Sequence, residues 1–460
     1  MPSAHDEGMP SAHDEGVPSA HEAGMPSAHD SGVHSTWQAL LPQQAWLSLR
    51  NGTLYAESVA LPDLAVQFGT PAWVYSAQTL RNNWQAFSAA LVGRPALLCY
   101  AVKANANLSI LRIFAQSGAG FDIVSGGELA RVLAAGADPK KVVFSGVGKS
   151  SDEILAALNA GVKCFNVESR AELHRINRLA YTLGIRAPVS LRVNPDVDAQ
   201  SHPYISTGLK ENKFGIAHGE ALALYREASA LPGLRLSGID CHIGSQITAM
   251  EPFMAALDKM LELISALNAS GIALEHLDLG GGLGITYTDE EPPAPGTFIR
   301  GILDRLDQDP VARGMEVVFE FGRSLVGNAG LLLTRVEYLK QNGDRYFAVV
   351  DAAMNDLIRP ALYQGYHQIV EVRPPADVIP ALYDVVGPVC ESGDWLGKNR
   401  PLRLRGSDDL LAILSAGAYG MAMSSNYNSR PRAVELLVDQ DTVRIIRPRE
   451  SVAAMLQAEV

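Results

Sequence analysis

Eight short apolar, β-rich runs recur along this chain, at Ala96–Val102, Gly120–Val124, Val142–Ser145, Cys164–Val167, Val189–Val193, Gly238–His242, His276–Leu279 and Val317–Glu320. Amphipathic helical stretches lie between most of them, among them Ser125–Ala135, Ser151–Asn159, Arg170–Leu183 and Pro252–Ala269. This alternation constrains the fold more than any other feature. Strands that are apolar throughout have both faces covered, and parallel strands need long crossovers, usually helices. Eight such units over 76–326 describe a (β/α)8 barrel of the TIM type, an α/β architecture. A doubly wound open sheet is the alternative; the count of eight and the spread of polar residues over many strand ends favour the barrel.

The flanks read differently. Beyond Asn328, Leu331–Leu339, Arg345–Val350, Asp384–Val386, Leu402–Leu404, Ala433–Val438 and Thr442–Ile446 are strand-like, with turn residues between them. Residues 327–460 are therefore expected to form a mainly β C-terminal domain. Segment 35–75, with strand-like Thr53–Ala56 and Ala72–Tyr75, is expected to join it. Residues 1–32 are four octads, MPSAHDEG, MPSAHDEG, VPSAHEAG and MPSAHDSG. They hold almost nothing to bury, so tail 1–34 is expected to be disordered. Their periodic histidines offer no preorganised geometry for a metal.

Charge and cysteine usage narrow the function classes. A net charge of −12 opposes nucleic acid or an anionic membrane as main partner. Cys99, Cys164, Cys241 and Cys390 form no CxxC pair, which excludes the usual zinc and disulfide patterns; no metal is expected. No apolar run reaches membrane-span length and no secretory h-region follows the N-terminus, so the expected location is the cytoplasm.

Several strand ends carry chemistry. The run Ala96–Val102 stops at Lys103, on the edge where α/β enzymes place their sites. Apolar neighbours should desolvate this lysine, lower its pKa and free the amine for Schiff-base formation. An isolated lysine here would ordinarily snorkel to solvent; the other strand ends argue otherwise. Gly280-Gly281-Gly282 follows a strand and could admit a phosphate to backbone N–H groups. His242-Ile243-Gly244-Ser245 ends the strand before it, with an imidazole that could stack on a ring and a hydroxyl for phosphate. Glu320-Phe321-Gly322-Arg323 ends the eighth, and a carboxylate there could keep a pyridine nitrogen protonated; a structural Glu–Arg pair is the plainer alternative. In the β-rich region, Cys390 lies beside Glu391 in a polar turn, a place for a proton donor. Arg359 and Tyr363 are four residues apart and suit a substrate carboxylate. Tyr419 sits in a glycine-rich turn.

In order along the chain, YAVKAN (Tyr100–Asn105), FDIVSGGEL (Phe121–Leu129), HPYISTGLKENKFGI (His202–Ile216), CHIGSQI (Cys241–Ile247), GGGLGI (Gly280–Ile285), NDLIRPALY (Asn355–Tyr363), CESGD (Cys390–Asp394) and GAYG (Gly417–Gly420) resemble the fold-type III pyridoxal 5'-phosphate decarboxylases, the alanine racemase and ornithine decarboxylase group. The resemblance covers about Gln43 to the C-terminus. It implies Lys103 as the Schiff-base lysine and His242 as the ring-stacking residue. Asp122, Ser245, Gly280, Gly281, Gly282, Gly322, Arg323 and Tyr419 would bind cofactor, and Glu320 would pair with the pyridine nitrogen. Arg323, Arg359, Tyr363, Glu391 and Tyr419 would hold substrate, and Cys390 would return a proton. In this group Cys390 and Glu391 come from a partner subunit, so the resemblance implies a homodimer with shared active sites. One departure stands out: the group reads Glu-Pro-Gly-Arg where this chain has Phe321, which leaves that turn's backbone freer.

The arginine of NDLIRPALY favours a substrate with a distal carboxylate. The resemblance therefore implies decarboxylation of meso-2,6-diaminopimelate to L-lysine and CO2, the last step of lysine biosynthesis. A decarboxylase of the same fold acting on D-lysine, D-ornithine, L-ornithine, arginine or a carrier-bound amino acid is the alternative, and a binding protein without catalysis is a third reading that Lys103 and Cys390 oppose.

Overall fold

The computed structural model describes residues 44–198 and 212–459. The octads, and residues 199–211, which include 202–211 of the His202–Ile216 motif, lie outside the described residues.

Eight parallel strands close into a barrel: β1 (Ala96–Ala101), β2 (Gly120–Ile123), β3 (Val142–Phe144), β4 (Cys164–Val167), β5 (Ala187–Asn194), β6 (Leu234–Asp240), β7 (His276–Asp278) and β8 (Glu316–Phe321). Each pairs with the next, and β8 pairs back to β1 with Phe319 opposite Leu98, so the ring has no free edge. β5 and β6 begin earlier than the apolar runs indicated, because Ala187-Pro188 pair with Leu234-Arg235, and the first residues of β6 alternate in polarity. β1 ends one residue early. Val102–Ala104 form a 3-10 turn that carries Lys103 over the carboxyl end of the strand.

Local sequence starts the helices directly after the strand ends. Ser125, Ser150 and Ser169 accept the N–H of Glu128, Glu153 and Glu172 at the N-termini of Gly126–Ala134, Ser151–Ala160 and Arg170–Thr182. Such caps contribute about 1 kcal/mol each. The helices then turn apolar faces to the barrel; Leu108–Gln116, for example, buries Ile110, Leu111, Ile113 and Phe114.

The remaining strands form a β-rich region. Ala72–Ser76 lies in its large sheet, antiparallel to Gly330–Asn342 and parallel to Val434–Asp439. The chain thus lays one strand of this sheet before entering the barrel and supplies the rest afterwards. Leu47–Arg50, Thr53–Ala56 and Val59–Ala60 form a separate three-stranded sheet. The Leu54 N–H donates to the Val372 carbonyl at 2.9 Å and ties that sheet to the C-terminal strands. Among the described residues no helix is long and apolar enough to cross a membrane.

Phe321 is the last residue of β8 and lies opposite Tyr100 in the ladder. Its ring is buried against Phe87 (4.3 Å between centroids), Phe319 (5.6 Å) and Phe298 (5.8 Å). The freedom expected of a turn without proline is absent, because the ladder and the aromatic cluster hold this residue. Phe321→Ala should lower the unfolding free energy by about 3–5 kcal/mol in a denaturant titration. A loss below about 1 kcal/mol would show that the cluster collapses around the cavity at little cost.

Candidate active site

A cavity of about 650 Å3 opens at the carboxyl ends of the strands. Lys103, His242, Ser245, Gly282 and Glu320 line it from the barrel, with Gly322 and Arg323 just beyond β8. Arg359, Tyr363 and Tyr419 reach it from the β-rich region. Asp122, Gly280 and Gly281 lie behind this lining. Cys390 and Glu391 do not join it: Cys390 is exposed, with its N–H on Asn428 Oδ1, and Glu391 accepts the Tyr427 hydroxyl at 2.8 Å.

Lys103 Nζ lies 3.1 Å from Asp122 Oδ2. Burial pulls the proton affinity of this amine down, but Asp122, then Tyr419 and Glu320, more than offset it and hold it above the ordinary lysine range. The lowered pKa expected from apolar neighbours is therefore corrected: nearby negative charge outweighs desolvation. The amine rests as an ammonium on an acidic floor.

That floor is built from strand ends. Asp122 stands one residue before the end of β2, Asp240 closes β6, Asp278 closes β7 and Glu320 stands near the end of β8; all four are buried. Burial, reinforced by Asp122, Asp278 and Asp240, raises the proton affinity of Glu320 well above normal, with Lys103 opposing. Asp278 is pushed up to about 7 by burial, although its Oδ1 accepts the Gly280 N–H at 2.9 Å. Asn166 Nδ2 donates to Glu320 Oε1 at 3.3 Å and Asp278 Oδ2 at 3.4 Å. Asp122 Oδ1 and Asp240 Oδ1 have no hydrogen-bond partner among the described residues.

The glycine run does something other than expected at two of its three positions. The Gly280 N–H is spent on Asp278, and the Gly281 N–H donates to His242 Nδ1 at 3.2 Å. A neutral His242 therefore carries its proton on Nε2; burial, then Lys103 and Arg192, push its pKa well down. A Cβ on Gly281 would sit 2.1 Å from the Glu320 carbonyl oxygen, and one on Gly282 2.4 Å from that of Gly244, with φ +109° at Gly282. These residues are glycine because adjacent strand ends converge there, and Gly282 alone of the three faces the cavity.

Part of the lining is cationic. Arg323 does not pair with Glu320: it donates from Nη1 to the Tyr287 hydroxyl at 2.8 Å and from Nη2 to Ser245 Oγ at 3.0 Å, beneath the Tyr419 ring. Arg359 lies over the Tyr287 ring and bonds His367. Burial raises the Tyr287 pKa, but Arg323 and Arg359 pull it below normal overall. Tyr287, His367, Asn166, Arg192, Asp240 and Asp278 were missed by sequence reasoning. A signal existed for Asp240 and Asp278, acids set inside apolar runs; nothing local marks Tyr287 or His367.

The profile of a family described as "Pyridoxal-dependent decarboxylase, pyridoxal binding domain" matches residues 77–327. The diaminopimelate decarboxylase of Pseudomonas aeruginosa is 58% identical over 412 residues, 90% of this chain and 98% of that one. That of Vibrio cholerae is 54% identical, covering 89% and 97%. Among solved structures, the diaminopimelate decarboxylase of M. jannaschii in complex with L-lysine superposes with a TM-score of 0.87 at 36% identity, covering 91% of this chain and 98% of that one. The Helicobacter pylori enzyme complexed with L-lysine gives 0.83 at 41%, covering 87% and 99%.

Gly282→Ala should weaken pyridoxal phosphate binding by about tenfold or more, since the methyl must displace Gly244 and the backbone is strained. Titrating the apoprotein with the cofactor measures this; unchanged affinity would show that the two loops yield without cost.

Proposed function

This chain belongs to the pyridoxal-dependent decarboxylases, and on that premise we propose that it decarboxylates meso-2,6-diaminopimelate to L-lysine and CO2, the last step of lysine biosynthesis. The observation that carries the reading is the presence, in one cavity, of an acid-held lysine and two guanidiniums whose hydrogen-bond partners among the described residues are all neutral. The floor fits pyridoxal phosphate. Glu320, raised by burial and acidic neighbours, gains from a cationic ring nitrogen. Asp122 and Asp240 each offer a carboxylate oxygen without a partner among the described residues. Ser245 and the Gly282 backbone suit a phosphate, with Arg323 close by; Gly280 and Gly281 act by letting the strand ends meet.

Bound there, the cofactor supplies an aldehyde for amines and an electron sink for the bond that breaks. Lys103 would hold the cofactor's aldehyde through its amine. Its ammonium must first lose a proton. His242 and Gly322 line the cavity, where the imidazole would hold the cofactor's ring. Arg323, Arg359, Tyr363 and Tyr419 orient the substrate and its carboxylates, and Glu320 keeps a proton at the ring nitrogen. Cys390 returns a proton to Cα after CO2 leaves, and Glu391 contacts the substrate.

In one chain, Cys390 stands away from the cavity. A homodimer in which each β-rich region completes the partner's barrel brings both residues into place. The division follows: 76–326 as cofactor-binding barrel, 35–75 with 327–460 as the β-rich part that serves the neighbour, 1–34 as a dispensable tail, and the cytoplasm as location.

CO2 release with pyridoxal phosphate should be fastest with diaminopimelate and at least about a hundredfold slower with lysine, ornithine or arginine, which offer no second carboxylate. Equal rates would discard the substrate assignment. Lys103→Ala should abolish turnover and the covalent adduct trapped by borohydride; a surviving lysyl adduct would place the anchor elsewhere. Mixing Lys103→Ala with Cys390→Ala should restore about a quarter of wild-type activity per site once subunits exchange, since about half the dimers are hybrids with one intact site. No recovery after proven exchange would mean that Cys390 serves its own chain.

A further inference from the structure

Arg359 enters the cavity from the short helix Arg359–Tyr363. After it, Gln364 adopts a left-handed conformation and the chain turns back, which brings His367 under the same guanidinium. Arg359 Nη1 lies 2.6 Å from His367 Nε2, and the guanidinium carbon lies 4.8 Å from the Tyr287 ring centroid. The two rings meet edge to face, 5.4 Å apart at 84°.

The protonation state of this imidazole follows from its contacts. His367 is fully buried, and its Nδ1 lies 2.9 Å from the Leu414 carbonyl oxygen. A carbonyl oxygen only accepts, so Nδ1 carries the proton. A guanidinium only donates, so Nε2 presents its lone pair to Arg359. A second proton would set N–H against N–H. Burial and then Arg359, with Arg323 and Arg400 adding to it, keep the ring neutral against the pull of the Leu414 carbonyl.

A neutral acceptor here has a consequence that a carboxylate would not have. Among the described residues no carboxylate makes an ion pair with Arg359 or Arg323, and their partners are a phenol, a serine hydroxyl and this imidazole. Burial lowers the proton affinity of Arg359, with Arg323 adding to it against the tyrosines, as for a charge the fold leaves uncompensated. The guanidinium is held in orientation without its charge being quenched. We infer that His367 is a positioning residue, which fixes Arg359 in the orientation that binds the distal carboxylate of the substrate. The inference rests on the reading of Arg359 as a carboxylate ligand given above.

The test compares two competitive inhibitors of the holoenzyme, L-lysine and 1,5-diaminopentane, which differ by that carboxylate alone. In the wild type the ratio of their inhibition constants should favour L-lysine strongly. His367→Phe keeps a flat ring and removes the acceptor. It should cut that ratio by about tenfold or more and raise KM for the substrate more than it lowers kcat, with the 1,5-diaminopentane constant unchanged. His367→Gln, whose Oε1 can accept from Arg359, should recover most of the ratio. Weakening of both inhibitors in parallel would overturn the inference, because a merely structural role disturbs the whole cavity. So would an unchanged ratio in His367→Phe when Arg359→Gln collapses it. If Arg359→Gln also leaves the ratio unchanged, the carboxylate-ligand reading falls, and the inference with it.

Discussion

Four buried carboxylates in one barrel mouth are the condition on which the rest of this site depends. Asp122, Asp240, Asp278 and Glu320 stand on four strands that closure of the ring brings together. Taking a carboxylate out of water costs several kcal/mol unless a cation or donors compensate it. The chain compensates only in part. Arg192, on β5, is shared between Glu168 at 2.6 Å and Asp240 at 3.9 Å, and Lys103 serves Asp122. For Glu320 the protein offers the Asn166 amide and, at 3.5 Å, Ser145. The proton affinities of Asp240, Asp278 and Glu320 rise as a result, and a ligand that brings its own positive charge to the floor relieves them. Affinity for a cationic ring is thus stored in the fold as incompletely balanced acid.

The cationic wall obeys the complementary rule. Arg323 and Arg359 share the Tyr287 ring, one through the hydroxyl and one over the face. Two like charges in a buried place repel, and the electron-rich ring and phenol oxygen between them reduce that cost without removing the net charge. Part of the cavity is therefore prepared for a cation and part for anions. A zwitterionic amino acid on a phosphorylated aldehyde presents that division of charge.

How much of this could be read from the sequence follows from what each feature depends on. The barrel was legible because apolar runs and amphipathic helices are local properties that repeat eight times. The candidate residues that line the cavity were legible because they stand at the ends of those runs, as Lys103 follows β1 in a 3-10 turn and Glu320 nearly closes β8. The sign of the Lys103 shift was not, since it depends on Asp122 from the neighbouring strand and on Glu320 from the other end of the barrel sequence. Tyr287 and His367 were not legible because each sits in a connection whose path only tertiary structure decides. The glycine run was read correctly as a place of close approach, but the approaching group at Gly280 and Gly281 is the protein's own backbone and His242.

Phe321 shows how a departure from a family pattern can leave a site in place. Proline at this position would fix φ and give up a backbone donor. Phenylalanine keeps the donor, and the β8 ladder runs in register to Tyr100. The ring adds a second restraint by packing into the cluster of Phe87, Phe298 and Phe319 behind the strand. Backbone freedom gained by losing the proline is thus removed by pairing on one side and packing on the other. The two neighbours that face the cavity, Glu320 and Gly322, inherit that fixity. Gly322 in turn can pass within about van der Waals distance of the turn that bears Lys103, because a Cβ there would meet Ala101 and Ala104 at 3.2 and 3.1 Å. The lysine and the carboxylate are therefore held relative to each other by a contact with no room for a side chain, not by any contact between the two groups themselves.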